Sequence, residues 1–112
     1  MKQHRIERIG YLIQQEITGI LRNNMSDPRF QQIAITSVTV SRDLAYANLR
    51  VRPLACQDTS EMCIAALNKA AGRLRYCLAH KLQLRVTPQL RFMYDWESER
   101  SYRLQQLIDR VV

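Results

Sequence analysis

The stretch from Ser60 to Leu82 has the pattern of one long amphipathic helix with a glycine near its middle. Its apolar residues recur at steps of three and four, which places them on one stripe at about 100° per residue. They are Ile64, Leu67, Ala71, Leu74, Leu78 and Leu82. Ser60 can cap the first turn. The opposite stripe holds Lys69, Arg73, Tyr76 and His80. The pattern predicts a helix that packs one face on a core and presents cations and an aromatic ring on the other.

Positive charge is concentrated in the same part of the chain. No Asp or Glu occurs between Glu61 and Asp95, and the interval contains six of the cations behind a formal net charge of +7: Lys69, Arg73, Arg75, Lys81, Arg85 and Arg91. Such a surface attracts polyanions, nucleic acid first and an anionic membrane surface second. A membrane protein is disfavoured, because no apolar run is long enough to span a bilayer and the N-terminus lacks a signal-peptide core. We expect a cytoplasmic protein.

Gly72 lies inside the predicted helix, where glycine costs about 1 kcal/mol relative to alanine. The Ala70-Ala71-Gly72 step predicts a kink in the helix or the close approach of another backbone, from protein or nucleic acid. The alternative is a glycine that is simply tolerated in a surface helix. Because Gly72 lies in the acid-free basic interval, we favour a functional role.

Two further helices are predicted near the ends of the chain. From about Arg5 to Arg22, isoleucines recur at helical spacing: Ile6, Ile9, Ile13, Ile17 and Ile20. Asp27-Pro28 ends this pattern, since the residue before proline is driven to extended geometry. Near the other end, a polar turn at 95–98 with Ser98 as N-cap precedes a last helix, marked by Leu104, Leu107, Ile108 and Val111.

Three strands are predicted between the helices. The first runs from Ile33 to Val40 and is rich in β-branched residues; its alternation changes phase near Ser37, which predicts a bulge. The second runs from Leu44 to Arg52, with one buried side made of Ala45, Ala47, Leu49 and Val51. The third runs from Leu90 to Tyr94. The order is α-β-β-α-(kink)-α-β-α, which predicts one α+β domain over 1–112 with helices packed on a three-stranded sheet.

This order, around a basic helix-turn-helix, is the layout of a type II KH domain, a module that clamps single-stranded nucleic acid. The chain lacks the Gly-x-x-Gly loop of such domains and has Ala70-Ala71-Gly72 in its place. In this it resembles the ribosome-binding factor A family, whose KH-like domain has an Ala-x-Gly kink. Further matching stretches are Asp27-Pro28-Arg29, Ser41-Arg42-Asp43-Leu44-Ala45-Tyr46-Ala47, and Leu84-Arg85-Val86-Thr87-Pro88-Gln89-Leu90 followed by Phe92-Met93-Tyr94-Asp95.

The resemblance implies a factor that binds immature small (30S) ribosomal subunits through 16S rRNA, assists late rRNA processing and leaves when the subunit is mature. From the charge map we expect RNA contacts from Lys69, Ala70, Ala71, Gly72, Arg73, Arg75, Tyr76, Lys81 and Arg85. Arg50 and Arg52, with Tyr46, would extend this surface along the second strand. We expect a monomer in the unbound form. The alternative is a basic adaptor that binds an acidic protein partner or duplex DNA.

Catalysis has little support in the sequence. Cys77 and His80 lie one helical turn apart, but two ligands without a second pair fall short of a zinc site. Three cysteines without a Cys-x-x-Cys spacing fit reduced thiols and not a disulfide framework. We therefore predict no catalytic residue, no metal and no cofactor.

Overall fold

The computed structural model describes residues 2–54 and 60–97, apart from the side chains of residues 2, 3 and 60. Along the chain these residues form α1 (Lys2–Asn23), a 3₁₀ helix (Pro28–Gln32), β1 (Ile33–Val40), β2 (Tyr46–Pro53), α2 (Ser60–Lys69), α3 (Ala71–Lys81) and β3 (Gln89–Tyr94). The predicted α-β-β-α-α-β order is confirmed. The last predicted helix lies mostly outside the described residues. Its predicted N-cap, Ser98, also lies outside the described residues.

The three strands form one sheet in the order β1-β2-β3. β1 and β2 are antiparallel, and β2 and β3 are parallel. The pairing of β1 with β2 shifts between Ile35 and Ser37, so Thr36 is the extra residue and the predicted bulge is confirmed. The Thr36 hydroxyl donates to the buried carboxylate of Asp95, which follows β3. The bulged residue therefore connects β1, at one edge of the sheet, to the segment that follows β3, at the other edge.

The start of β2 differs from the prediction by two residues, because Leu44 and Ala45 belong to the hairpin turn. Leu44 has a φ of 60°, a left-handed conformation that no strand residue adopts. The Asp43 carboxylate accepts the Ala45 N–H at 3.1 Å, and the Ser41 hydroxyl oxygen accepts the Tyr46 N–H at 3.0 Å. These local side-chain bonds satisfy the turn before the ladder begins.

The helices cover one face of the sheet. Ala47, Leu49 and Val51 of β2 are fully buried beneath them, as their alternation predicts. The isoleucines of α1 from Ile9 to Ile20 complete the core, with Leu67 of α2 and Leu74 and Leu78 of α3. α1 lies so close to β1 that a Cβ at Gly10 would be 3.2 Å from the Val38 carbonyl oxygen. The opposite face of the sheet has no helix against it among the described residues, and Tyr46 and Arg50 are exposed there.

The helix predicted from Ser60 to Leu82 is broken at Ala70, the first residue of the Ala70-Ala71-Gly72 step that predicted a kink. Ala70 has φ −87° and ψ 0°, and its N–H is shared between the Ala66 and Leu67 carbonyls at 3.1 Å each. Its own carbonyl accepts the Leu74 N–H at 3.0 Å, which starts α3. Ala70 thus ends one helix and opens the next without an unsatisfied amide. Ser60, predicted as the N-cap, is the first residue of α2.

Candidate nucleic-acid interface

A groove lies between the outer side of α3 and the segment that leads into β3. Gly72, Arg75, Tyr76 and Ala79 fall on the arc of α3 opposite the buried Leu74 and Leu78, because the helix turns about 100° per residue. Facing them, the segment after α3 contributes the other wall of an open groove of about 550 Å³, lined by Arg85, Val86 and Thr87. This groove brings together four of the residues expected to contact RNA: Gly72, Arg75, Tyr76 and Arg85.

Arg75 holds the second wall in place. Its Nε and Nη2 donate to the Thr87 carbonyl oxygen at 3.1 and 2.9 Å. The adjoining Pro88 is fully buried, which fixes the chain as it enters β3. A guanidinium has five N–H donors, so Arg75 can hold this loop and still offer hydrogen bonds to a phosphate. The phosphate contact of Arg75 stays a prediction. Its hydrogen bonds to Thr87 give it a structural role as well, which was not predicted from the sequence.

Tyr76 presents its ring to solvent at the groove, with 66% of the residue exposed. The His80 ring lies 4.4 Å from it at an interplanar angle of 47°. His80 Nδ1–H donates to the Tyr76 carbonyl oxygen at 2.9 Å, which fixes the orientation of the imidazole one turn further along the helix. A tyrosine ring supported on one side by another ring is suited to stack on a base.

Three other predicted cations are exposed but do not line the groove: Lys69, Arg73 and Lys81. Lys69 ends α2, before the break at Ala70. Arg73 is about 200° around the helix from Arg75. Lys81 follows Leu74 by seven residues, two helical turns, so it lies on the same side of α3 as the buried leucines, at the exposed end of the helix. Positive charge therefore surrounds α3 instead of forming the single stripe that the sequence predicted.

The break in the helix sets the position of the predicted Ala70-Ala71-Gly72 step. Ala70 and Ala71 are half-buried and pack against the core, whereas Gly72 is exposed in the first turn of α3. A Cβ at Gly72 would meet no heavy atom within 4 Å among residues 2–54 and 60–97, so no backbone in this part of the chain approaches it. Close approach of a protein backbone therefore does not explain this glycine, and two interpretations remain: the approach of a ligand, or a glycine that is tolerated in a surface helix.

Arg50 and Arg52 do not continue the groove. They alternate along β2 with the buried Leu49 and Val51, so they lie on the open face of the sheet, away from the helices. Tyr46 lies on the same face. The strand period alone shows that a residue beside a buried position of β2 faces away from α3.

Three residues that line the groove were not predicted from the sequence: Ala79, Val86 and Thr87. Ala79 lies three residues after Tyr76, so helical spacing could have revealed it. Val86 and Thr87 gave no signal, because their place depends on how the segment after α3 folds back through the Arg75 contact. A further missed residue is Asn68, whose amide donates to the Phe92 carbonyl at 3.1 Å and accepts the Phe92 N–H at 2.9 Å, which caps the outer edge of β3.

Other features of the described residues bear on the remaining predictions. No cluster of three or more His, Cys, Asp or Glu side chains with metal-binding geometry occurs within 2–54 and 60–97. Cys63 is buried and Cys77 half-buried, and neither forms a disulfide. Within the same ranges no helix has both the length and the apolar character to cross a membrane.

A three-stranded sheet with helices on one face, and a broken basic helix pair before the parallel strand, defines a KH-like domain. The sequence model of ribosome-binding factor A matches residues 5–108. The chain therefore belongs to the ribosome-binding factor A family.

Individual relatives agree with this assignment. A curated ribosome-binding factor A from Nitrosospira multiformis is 44% identical over 105 residues, which is 94% of this chain and 83% of the relative. The crystal structure of ribosome-binding factor A from Thermus thermophilus is similar at a TM-score of 0.70 and 21% identity, over 80% of this chain and 94% of that one. A Thermus thermophilus ribosome-binding factor A fitted into the cryo-EM map of a 30S complex matches at a TM-score of 0.62 and 23% identity, over 75% and 88% of the two chains.

Proposed function

We propose that this chain is a cytoplasmic, non-catalytic assembly factor that binds immature small (30S) ribosomal subunits through their 16S rRNA and assists late rRNA processing and subunit maturation. Family membership supports the ribosome as the partner, and a relative has been placed in a 30S complex. The observation that carries the RNA contact is the groove, which Tyr76 and Arg85 line together with the exposed Gly72.

The groove would act by positioning and affinity. Arg85, with the N–H groups of Arg75 that the Thr87 carbonyl does not occupy, would neutralise phosphates of a single strand. The absence of a side chain at Gly72 would let the RNA backbone approach the first turn of α3, whose backbone N–H groups point toward the start of the helix and attract anions. Tyr76 would stack on a base. Lys69, Arg73 and Lys81 would add longer-range attraction, which salt screens.

The role of Tyr76 can be tested against a matched tyrosine. Tyr11 on α1 is 61% exposed, close to the 66% of Tyr76, but it does not line the groove. Tyr76→Ala should weaken binding to an rRNA fragment by about 1–3 kcal/mol, the value of one base stack, whereas Tyr11→Ala should leave binding unchanged. Fluorescence anisotropy at about 0.15 M salt measures both. Equal effects of the two substitutions would show that the groove is not the stacking site.

The alternative function, a basic adaptor for an acidic protein or for duplex DNA, is distinguished by competition. Immature small subunits or rRNA fragments should displace a labelled rRNA from this chain far more effectively than duplex DNA of equal phosphate concentration. Salt dependence alone does not separate the two functions, because both are electrostatic. Equal competition by duplex DNA would favour the adaptor.

A further inference from the structure

The open face of the sheet carries its own row of basic and aromatic residues. Tyr46, Arg50 and Arg52 occupy alternate positions of β2 on this face. The register of β3 places Arg91 beside Asn48 and Met93 beside Arg50. Three arginines thus lie on two neighbouring strands, on the side of the sheet opposite the helices. Successive cations on β2 are about 7 Å apart, two residues of an extended strand.

Arg91 and Tyr46 form a stacked pair within this row. The guanidinium carbon of Arg91 lies over the Tyr46 ring, 4.2 Å from its centroid. This cation–π contact holds the planar guanidinium at the face of the ring. Its outer side can then stack on a base while its N–H groups bond a phosphate. Tyr46 is 38% exposed, so part of its ring is also accessible. The arrangement parallels the groove, where Tyr76 lies close to Arg75 and Arg85.

The ion pair that Arg50 forms on this face is solvated. Glu97 Oε2 lies 3.6 Å from Arg50 Nη1, but the Glu97 side chain is 86% exposed, and a solvated pair of this kind exchanges readily for another anion. The Asp43 carboxylate at the hairpin is already bonded by the Ser41 hydroxyl and the Ala45 N–H. Arginine and tyrosine also occur in protein–protein interfaces, but three cations beside an aromatic ring match the phosphates and bases of a single strand. The chemistry of this face therefore favours a polyanion over a protein partner.

We infer that the open face of the sheet is a second binding site for single-stranded RNA, so that the domain bridges two RNA segments on its opposite sides. The inference rests on the proposed function, because it takes the α3 groove as the first site. One layer of helices and one layer of sheet separate the two sites. Thr87 of the groove lies two residues before Gln89, the register partner of Tyr46, so a long strand can pass from one site to the other around this edge of the domain. An RNA of about four nucleotides is short enough to occupy one site at a time.

Native mass spectrometry of the full chain with an oligouridine of about four nucleotides, too short to span both sites, counts the sites directly. The unchanged chain should bind two oligonucleotides. Arg50→Gln with Arg91→Gln should bind one, with the affinity of the second site reduced by about tenfold or more, the effect of losing a charge-assisted contact. Arg85→Gln should weaken the other site.

Two controls separate this surface from a general loss of charge or of fold. Arg8→Gln with Arg22→Gln removes the same charge from exposed positions of α1 and should leave two oligonucleotides bound. Arg91→Lys keeps the charge but removes the planar group, so it should preserve the salt dependence of the second site while weakening its affinity. Far-UV circular dichroism establishes that each variant is folded.

Each result decides a different point. Two oligonucleotides on the Arg50→Gln, Arg91→Gln variant with unchanged affinities would overturn the second site and leave this face to a protein partner. A single oligonucleotide on the unchanged chain, lost only with Arg85→Gln, would overturn bridging while the proposed function stands. No binding by the unchanged chain would contradict both.

Discussion

Replacing Gly72 by alanine should change the stability of the chain and its affinity for RNA in opposite directions. Gly72 lies in the first turn of α3, its φ is not positive, and an added Cβ would meet no heavy atom within 4 Å. Alanine loses less backbone entropy than glycine on folding into a helix, so Gly72→Ala should stabilise the chain by about 0.5–1 kcal/mol. The midpoint of thermal unfolding should rise by about 2–5 °C.

Gly19 provides the matched control for stability. It lies within α1, and an added Cβ there would also meet nothing within 4 Å. Gly19→Ala should therefore raise the midpoint by a similar amount, since the same entropy is removed from the unfolded chain. Circular dichroism during heating measures both variants. A loss of stability in either one would refute the reading of the local geometry.

The two variants should differ in RNA binding. If an RNA phosphate contacts the backbone at Gly72, a methyl group pushes it away and weakens the charge-assisted bonds, at a cost of about 1–2 kcal/mol. Affinity for an rRNA fragment should fall about tenfold for Gly72→Ala and stay unchanged for Gly19→Ala. A Gly72→Ala protein that is more stable and binds as tightly as the unchanged chain would refute close approach at this position.

Other predictions concern the fold. Gly10→Ala should not stabilise the chain as the other two glycine substitutions do, because its Cβ would lie 3.2 Å from the Val38 carbonyl oxygen of β1. Thermal unfolding compares the three variants, and an equal rise in the midpoint would contradict the packing of α1 on β1. Asn68→Ala should cost about 2 kcal/mol in urea unfolding, because it leaves the N–H and carbonyl of Phe92 without their partner; no change would mean that water replaces the amide. Hydrogen bonds lower the pKa of two carboxyls below 3.8, from the Arg29 side chain to Asp27 and from the Ser41 hydroxyl to Asp43. The hydrogen bonds to these carboxylates stabilise the fold fully above the unfolded pKa, and this stabilisation is lost as the pH falls through the lower folded pKa. In an acid titration, the Asp27→Asn, Asp43→Asn variant should therefore lose less stability than the unchanged chain.

Much of the fold could be predicted because its signals are local. The β-branched run of β1 defined a strand, and its change of phase located the bulge within one residue of Thr36. The stripe of Leu67, Leu74 and Leu78 gave the buried side of the helix pair correctly. The Ala70-Ala71-Gly72 step located the break, but its residue within the step could not be predicted, because Ala70 carries no side-chain signal and its conformation is set by hydrogen bonds to both neighbouring helices.

The candidate site was harder to predict, because its second wall depends on tertiary contacts. A charge count treats Arg75 as another cation, but only the folded chain brings the Thr87 carbonyl oxygen to 2.9 Å from its Nη2. The separation of Arg50 from the groove could have been predicted, since it neighbours the buried Leu49 in a strand with a period of two. Combining charge with strand parity would have divided the basic residues into two surfaces.

Crosslinking by ultraviolet light tests the central claim, that RNA lies in the groove along α3. Cleavage after Lys and Arg releases peptide 76–81, which contains Tyr76, and peptide 9–22, which contains the similarly exposed Tyr11. After irradiation of the chain bound to immature small subunits, rRNA nucleotides should be attached to peptide 76–81 and not to peptide 9–22. Attachment to peptide 9–22 with none on peptide 76–81 would contradict the account.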